Sequence, residues 1–385
     1  MMATDWTEFR LGQLVRLTSG QSPSGFRFGV AGKPYFKVDQ LGKATKYLGR
    51  RSTPYLSDAL PSVPEGSVLI AKRGGAIALN RVRILAEPGF MDTNVMALTP
   101  TEAIESEFLY YWLAYRRLWD IADVTSVPQI NNKHINPMRI ALPPLAEQRS
   151  IAAVLADVDD LIETLEQLIA KKEAITLGLM QQLLSGKTRL PGFDGPWATR
   201  ALGEIAHVTM GQSPPSGSYN ADGHGVPLIQ GNADIRDRRT IGRIWTTAPT
   251  KTCEAGDLLL TVRAPVGFTA IASHTSCLGR GVCSLSTTAS SRYLFHALVH
   301  AERRWAASEQ GSTFTAVNSA QVRGFTISLP EKPAEQKAIA AVLDDAESEL
   351  RVLYSRLVKT RAIKQGMMQQ LLTGRTRLQV AEVAA

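Results

Sequence analysis

The chain has 385 residues, 44% of them hydrophobic and 20% charged, a globular balance too long for one ordinary core. Its 43 Lys and Arg against 35 Asp and Glu give a formal charge of +8, a mild lean toward polyanionic partners. Three cysteines exclude a disulfide framework, and no apolar run reaches the length of a membrane span. The opening MMATDWTEFR lacks a signal-peptide pattern, so a cytoplasmic protein without membrane contact is expected.

Residues 1–145 mix short β-rich runs with turn signals: SVLIAKRGG (67–75), RVRILAEPG (81–89) and MRIALPP (138–144). One helical stretch, SEFLYYWLAYRRLWDIA, is predicted over 106–122. From 146 to 190 the pattern changes to a spacer helix. Steps of four and three from Ile151 select Leu155, Val158, Ile162, Leu165, Ile169, Leu179 and Leu183, a heptad seam broken only at Lys172 and Thr176. Gly186 then supplies a left-handed C-terminal cap. Residues 191–330 repeat the first plan, with DLLLTVRAP (257–265), GFTAIAS (267–273), GVCSLS (281–286) and a helix over 291–307. A second spacer helix, 331–378, has the seam Ile339, Leu343, Leu350, Leu353, Leu357, Met367 and Leu371, and ends at Gly374. A short tail, 379–385, follows.

The chain is thus written twice. Residues 146–190 match 334–378 at 23 of 45 positions, with AEQ at the start of each copy and QQLL followed by Thr-Arg-Leu at the end. TSGQSP (18–23) likewise pairs with TMGQSP (209–214). The middles of the two β-rich units diverge, which fits one framework serving two related targets. Two stripes of this kind pair within the chain as an antiparallel coiled coil, each helix about 60 Å long at ~1.5 Å per residue. The expected fold is α+β: two pseudo-repeated α/β domains separated by a pair of long antiparallel coiled-coil helices.

The positive charge lies in the two β-rich units. Residues 1–145 hold 17 Lys and Arg against 12 Asp and Glu, and 196–330 hold 12 against 8. Polar residues where loops are expected are the candidates for contact with double-stranded DNA: Gln21, Ser22, Lys37, Lys72, Arg73, Gln129, Asn131 and Lys133 in the first unit. In the second they are Gln212, Ser213, Gln230, Asn232, Arg263 and Asn318. Arg, Gln and Asn present donor and acceptor pairs that match base edges, while Ser and Lys hold phosphates. Catalytic patterns are missing. No Asn-Pro-Pro-aromatic or His-Glu-x-x-His run occurs, and Ser-Gly-Lys-Thr (185–188) lacks the earlier glycine of a phosphate loop. His296 and His300 read as packing or surface residues, and no metal site is expected.

The segments LPPLAEQRSIAAVL and LPEKPAEQKAIAAVL, the paired MQQLL ends and the GQSP openings resemble the specificity (S) subunit of type I restriction-modification systems, over nearly the whole chain. The resemblance implies two target recognition domains, 1–145 and 191–330, each reading one half of a bipartite, asymmetric DNA site, with the helices as a ruler between them. It implies a non-catalytic subunit on which two methylation (M) subunits dock and which restriction (R) motor subunits join. S-adenosylmethionine, ATP and Mg2+ would belong to those partners, and no cofactor to this chain. The alternatives are a coiled-coil scaffold and a specificity module of another DNA-modification system.

Overall fold

The computed structural model describes residues 6–123, 127–287, 290–307 and 316–378; the expected tail at 379–385 lies outside them. The chain divides into two compact units, one formed by residues 1–166 with 355–385, the other by 167–354.

In the first unit the main sheet has strands in the order Val15–Ser19, Val95–Pro100, Val68–Ala71, Arg83–Leu85, Tyr47–Leu48. The run Val68–Ala71 is buried at all four positions, as a central strand covered on both faces requires. A smaller sheet orders Leu56–Ser57, Lys33–Phe36, Phe90–Met91. The second unit repeats this plan. Its main sheet runs His207–Met210, Val282–Ser286, Leu258–Thr261, Thr269–Ile271, Arg239–Thr240, with Ile235–Arg236 added at the edge. In each unit a separate antiparallel pair joins the start of the domain to its end: Thr7–Arg10 with Arg139–Leu142, and Trp197–Ala201 with Thr326–Pro330.

The helix expected over 106–122 is shorter. It spans Ser106–Tyr115 and is followed by a 3-10 turn, Leu118–Ile121. Asn80 ends it: its side-chain amide donates to the carbonyls of Ala114 and Arg116 (both 2.9 Å), and its oxygen accepts from the Leu118 amide (3.2 Å). In the second unit the corresponding helix runs the full Ser291–Ala307.

The two long helices are Leu145–Leu183 and Pro333–Leu371, 39 residues each. Within the first unit, residues 145–166 run antiparallel to 355–371, with Asp159 paired to Lys364 and Glu166 to Arg361 (2.6 Å). Within the second, 167–183 run antiparallel to 333–354, with Lys172 paired to Glu349 (2.8 Å) and Tyr354 donating to Glu173. Ile151, Leu155, Leu165, Ile169, Leu183, Ile339, Leu343, Leu357 and Leu371 are buried, and the polar breaks Thr176 and Thr360 are buried beside them, each hydroxyl bonded four residues back to Lys172 and Arg356. Ile151 and Leu155 join the hydrophobic core of the first unit, Ile339 and Leu343 that of the second.

The repeated AEQ and Thr-Arg-Leu motifs form a latch, once per unit. In the first, Glu147 at the start of one helix receives two hydrogen bonds from Arg377 beyond the end of the other (both 2.7 Å). In the second, Glu335 receives two from Arg189 (2.7 and 2.8 Å). Both carboxylates are buried. Each arginine lies over a tryptophan, Arg377 over Trp6 (5.9 Å) and Arg189 over Trp197 (5.8 Å). The same rings pack against Gly374 and Gly186, whose φ of 69° is the left-handed cap. The adjacent glutamines tie the helix start to the preceding strand, Gln148 to the Pro143 carbonyl (2.9 Å) and Gln336 to that of Pro330 (2.8 Å).

One buried polar contact joins each shorter helix to a long one. Tyr111 donates to Asp159 (2.8 Å) in the first unit. At the corresponding place in the second, the fully buried His296 bonds Asp344 through Nε2 (2.8 Å), while Arg292 takes the same carboxylate and Glu347 stands 3.6 Å from Nδ1. Burial holds the His296 pKa below its ordinary value, so the folded ring is neutral. The unfolded chain gains this proton near pH 6.5. Stability from the neutral ring is therefore complete above about pH 6.5 and declines as pH falls through it. The Asp344 pKa is also depressed, despite burial, by its bonds to Arg292 and His296, and its contribution is lost only below about pH 4. Thermal melts of wild type and His296→Gln between pH 7 and 5.5 are expected to show a steeper fall for wild type.

Candidate nucleic-acid interface

In the first unit three of the candidate loops meet. The Gly20-Gln21-Ser22 turn follows the strand Val15–Ser19 and is held by its backbone: Gly20 N donates to the Val95 carbonyl (3.1 Å) and Gln21 N to that of Met91 (2.8 Å). The Tyr35 hydroxyl donates to the Gln21 carbonyl (2.8 Å). Both backbone groups of Gln21 are thereby used, and its side chain is left exposed. Ser22 caps the 3-10 turn Pro23–Gly25, accepting from Ser24 N (3.4 Å).

Lys72 lies against this turn, its ammonium on Ser19 Oγ (3.0 Å). Its amide donates to the Asn94 carbonyl (2.7 Å), and its carbonyl accepts from Ile130 (2.9 Å). Arg73 forms a β-bridge with Gln129, and Gly74 N donates to Pro128 (2.9 Å). Gln21, Lys72, Arg73 and Gln129 thus gather around the segment Met91–Val95. Farther along, Asn131 starts the short helix Asn132–Ile135, and Lys133 is engaged by Asp123 (2.8 Å). That bond, with His134 nearby, holds the Asp123 carboxyl below its usual range. Lys37 follows Phe36, whose carbonyl accepts from Asp92 N (2.9 Å), so it too borders this segment, and its ammonium lies over the Tyr55 ring at 4.0 Å.

The second domain builds the same arrangement around Leu278–Val282. Gln212 N donates to the Leu278 carbonyl (2.8 Å), and Ser213 Oγ accepts from Arg280 N (3.3 Å). The Gln230 carbonyl lies so close to Gly281 that a Cβ there would overlap it. Gly281 in turn accepts from Val262 N (2.9 Å), which places Arg263 beside it, and Arg263 bridges Ala316. Val317 N donates to the Val262 carbonyl (2.9 Å), bringing in Asn318. The Asn318 side chain caps the helix Ser319–Gly324 through Gln321 N (3.0 Å), so that oxygen is committed to the fold. Asn232, two residues past Gln230, is exposed at a 3-10 turn whose Asp234 fixes Gln230 N (2.8 Å).

Two residues of these hubs were not among the candidates: Asn94, whose amide and side chain bond Asp92, and the exposed Arg280. The signal for them was a shared Val-x-x-Leu ending, NVMAL against GVCSL, at an offset of 187.

The buried thiols are poor nucleophiles, because burial pushes Cys253 up to about 11 and Cys283 up to about 12. Among the described residues the His296, Asp344 and Glu347 ligand atoms have metal-site spacing, within 4.8 Å of one another. Arg292 already supplies the opposite charge to Asp344 there. No described helix is long and apolar enough to cross a membrane.

Comparison with known proteins places this arrangement. The family profile for the type I restriction modification DNA specificity domain matches residues 3–174 and 195–352. The MjaX specificity subunit of Methanocaldococcus jannaschii, a provisional type I restriction enzyme assignment, is 29% identical over 81% of this chain and 79% of its own. The MjaVIII type I specificity subunit of the same organism is 23% identical over 97% and 93%. A chain from a structure of type I restriction-modification complex assembly and conformational transition superposes with a TM-score of 0.66 at 26% identity, covering 98% of this chain and all of that one. The HsdS subunit of Thermoanaerobacter tengcongensis gives 0.53 at 25% identity, over 97% and 98%.

Proposed function

Because the chain belongs to the type I restriction-modification DNA specificity family, as its S subunit, we propose that each recognition domain reads one half of a bipartite, asymmetric site on double-stranded DNA. The observation that carries this reading is the duplicated polar hub. The same backbone frame presents Gln21, Lys72, Arg73 and Gln129 in one domain and Gln212, Gln230, Arg263 and Arg280 in the other. One frame with two side-chain sets reads two different sequences.

The long helices serve as spacer and as the seat of two methylation subunits in the cytoplasm. Exposed apolar residues on them support docking of partner helices: Leu161, Val358 and Ile363 in the first unit, and Leu168, Ile175, Val352 and Tyr354 in the second. Adenine methylation with S-adenosylmethionine, and ATP- and Mg2+-dependent cleavage by restriction subunits, lie in those partners.

The test is methylation mapping of DNA exposed to the chain together with its methylation subunits. A two-part motif that vanishes without this chain is expected; methylation by the purified chain alone would overturn the reading. Arg73→Ala and Arg263→Ala are expected each to relax a different half-site, by about 1–3 kcal/mol where the guanidinium is bidentate to guanine. Competition binding with half-site variants measures it.

A further inference from the structure

The first recognition domain carries an exposed apolar tip, Phe28 and Val30, that the second lacks. Among the described residues the domain as a whole exposes the large hydrophobic side chains Phe28, Val30, Tyr47, Leu60, Leu79 and Val127, whereas residues 197–330 expose none. Val30 is fully exposed. Its segment is held on both sides: Gly29 N donates to the Leu56 carbonyl (2.9 Å), and Arg50 donates to the Gly32 carbonyl (2.9 Å). Gly32 has φ of +113° and lies so close to the Ser57 backbone that a Cβ would overlap it. The segment leading to Leu60 therefore runs beside the tip.

The residues leading to Val30 belong to a platform of rings. Phe26 and Phe28 stack at 6.1 Å, and Tyr35 meets both edge-on at 4.8 and 5.1 Å. The hydroxyl of that same Tyr35 holds the Gln21 carbonyl, so the tip and the Gly20-Gln21-Ser22 turn stand on one support. The surroundings are cationic. Phe26 to Arg51 contains seven Lys and Arg against a single Asp, more than the whole excess of five in residues 1–145. Lys46 and Arg50 are paired with Glu107 and Glu87, but Arg27, Lys43 and Arg51 make no ion pair among the described residues. An exposed aliphatic tip within a basic segment, braced against a base-reading turn, matches a polyanion that also offers apolar surface. Duplex DNA has both properties.

We propose that Val30, two residues along the chain from the exposed Phe28, makes a specificity-determining apolar contact with the bases of the half-site read by the first domain. This rests on the reading of the chain as a two-part DNA recognition subunit. Bases offer apolar surface as the C5-methyl of thymine in the major groove or as the face of an unstacked base at a deformed step.

The test uses the chain assembled with its methylation subunits and duplexes carrying the mapped site, at one fixed salt concentration. Val30→Ser is expected to weaken cognate binding roughly five- to tenfold and to relax preference at one or two positions of the first half-site only; Val30→Ile is expected to retain both. Thermal melts check that Val30→Ser folds as wild type does. Replacing thymines one at a time by deoxyuridine identifies a methyl contact as a loss seen in wild type and absent from Val30→Ser. A 2-aminopurine signal on binding that Val30→Ser abolishes identifies an unstacked step. Either outcome supports the proposal. Unchanged affinity and preference in Val30→Ser, with wild type still sequence-specific, overturns it and assigns the tip to solvent or a protein partner. Equal weakening on all sequences, with neither probe responding, also overturns it. Wild type that shows no sequence preference at all brings down the two-part reading itself, and is seen before any variant is made.

Discussion

Replacing Arg377 by methionine is expected to destabilise the first unit by about 3 kcal/mol, because it leaves the buried Glu147 carboxylate without its two hydrogen bonds. The figure is at the low end for a broken buried pair because the Arg377 side chain is 34% exposed and water can enter where it stood. For a unit near 200 residues this corresponds to a melting temperature lower by about 6–12 °C. The decisive comparison is the double variant Glu147→Leu with Arg377→Met. Removing both partners removes the stranded charge, so most of the loss is expected to return. Calorimetry of the single and double variants measures both. A double variant as unstable as the single one would show that Arg377 acts mainly through packing on Trp6.

Gly20→Ala and Gly211→Ala are expected to abolish recognition of one half-site each. These are the glycines of the two GQSP motifs. A Cβ on Gly20 would overlap the Asp92 carbonyl oxygen, and one on Gly211 would overlap that of Gly279. Neither obstacle is a side chain that can rotate away, so the turn must shift, at a strain of about 3 kcal/mol. The residue that shifts with it is the neighbouring Gln21 or Gln212, whose amide bond to Met91 or Leu278 fixes its position. Binding to the full site is expected to fall by roughly a hundredfold in each variant, equivalent to that strain. Discrimination at the other half-site is expected to persist, because each hub is built within its own domain. Competition binding with duplexes altered in one half at a time separates the two. Loss at both halves in either variant would refute independent reading.

The sequence made the helices legible because a heptad seam is a local pattern, and it made the duplication legible because the framework residues are shared. It revealed AEQ and Thr-Arg-Leu as repeated motifs without revealing that Glu147 and Arg377 meet, since 230 residues separate them and no periodicity links them. The order of strands was hidden for the same reason: strand pairing across a domain leaves no trace in local spacing. The sequence predicts a helix through 122 because its helical composition continues past Tyr115, while the side chain that stops it, Asn80, comes from another loop. Among the candidate contacts, residue type alone could not tell a base-reading amide from one committed to the fold. Asn318 caps a helix and Lys133 has its own acid, whereas Gln21 has its backbone pinned and its side chain exposed.

The latch also dictates the order in which the molecule can be completed as it leaves the ribosome. The second unit is one continuous stretch, 167–354, and its Arg189–Glu335 latch closes over 146 residues already emerged. The first unit begins to appear earlier and cannot be finished then, because Met368, Leu371 and Arg377 are still to be synthesised. Until they arrive, Glu147 has no counter-charge and Ile151 and Leu155 lack their covering residues, so the earliest-made domain waits with open core surface while the later one closes. The open surface of the first unit therefore persists through the synthesis of 167–378, and a pause anywhere in that stretch lengthens its exposure to chaperones and proteases.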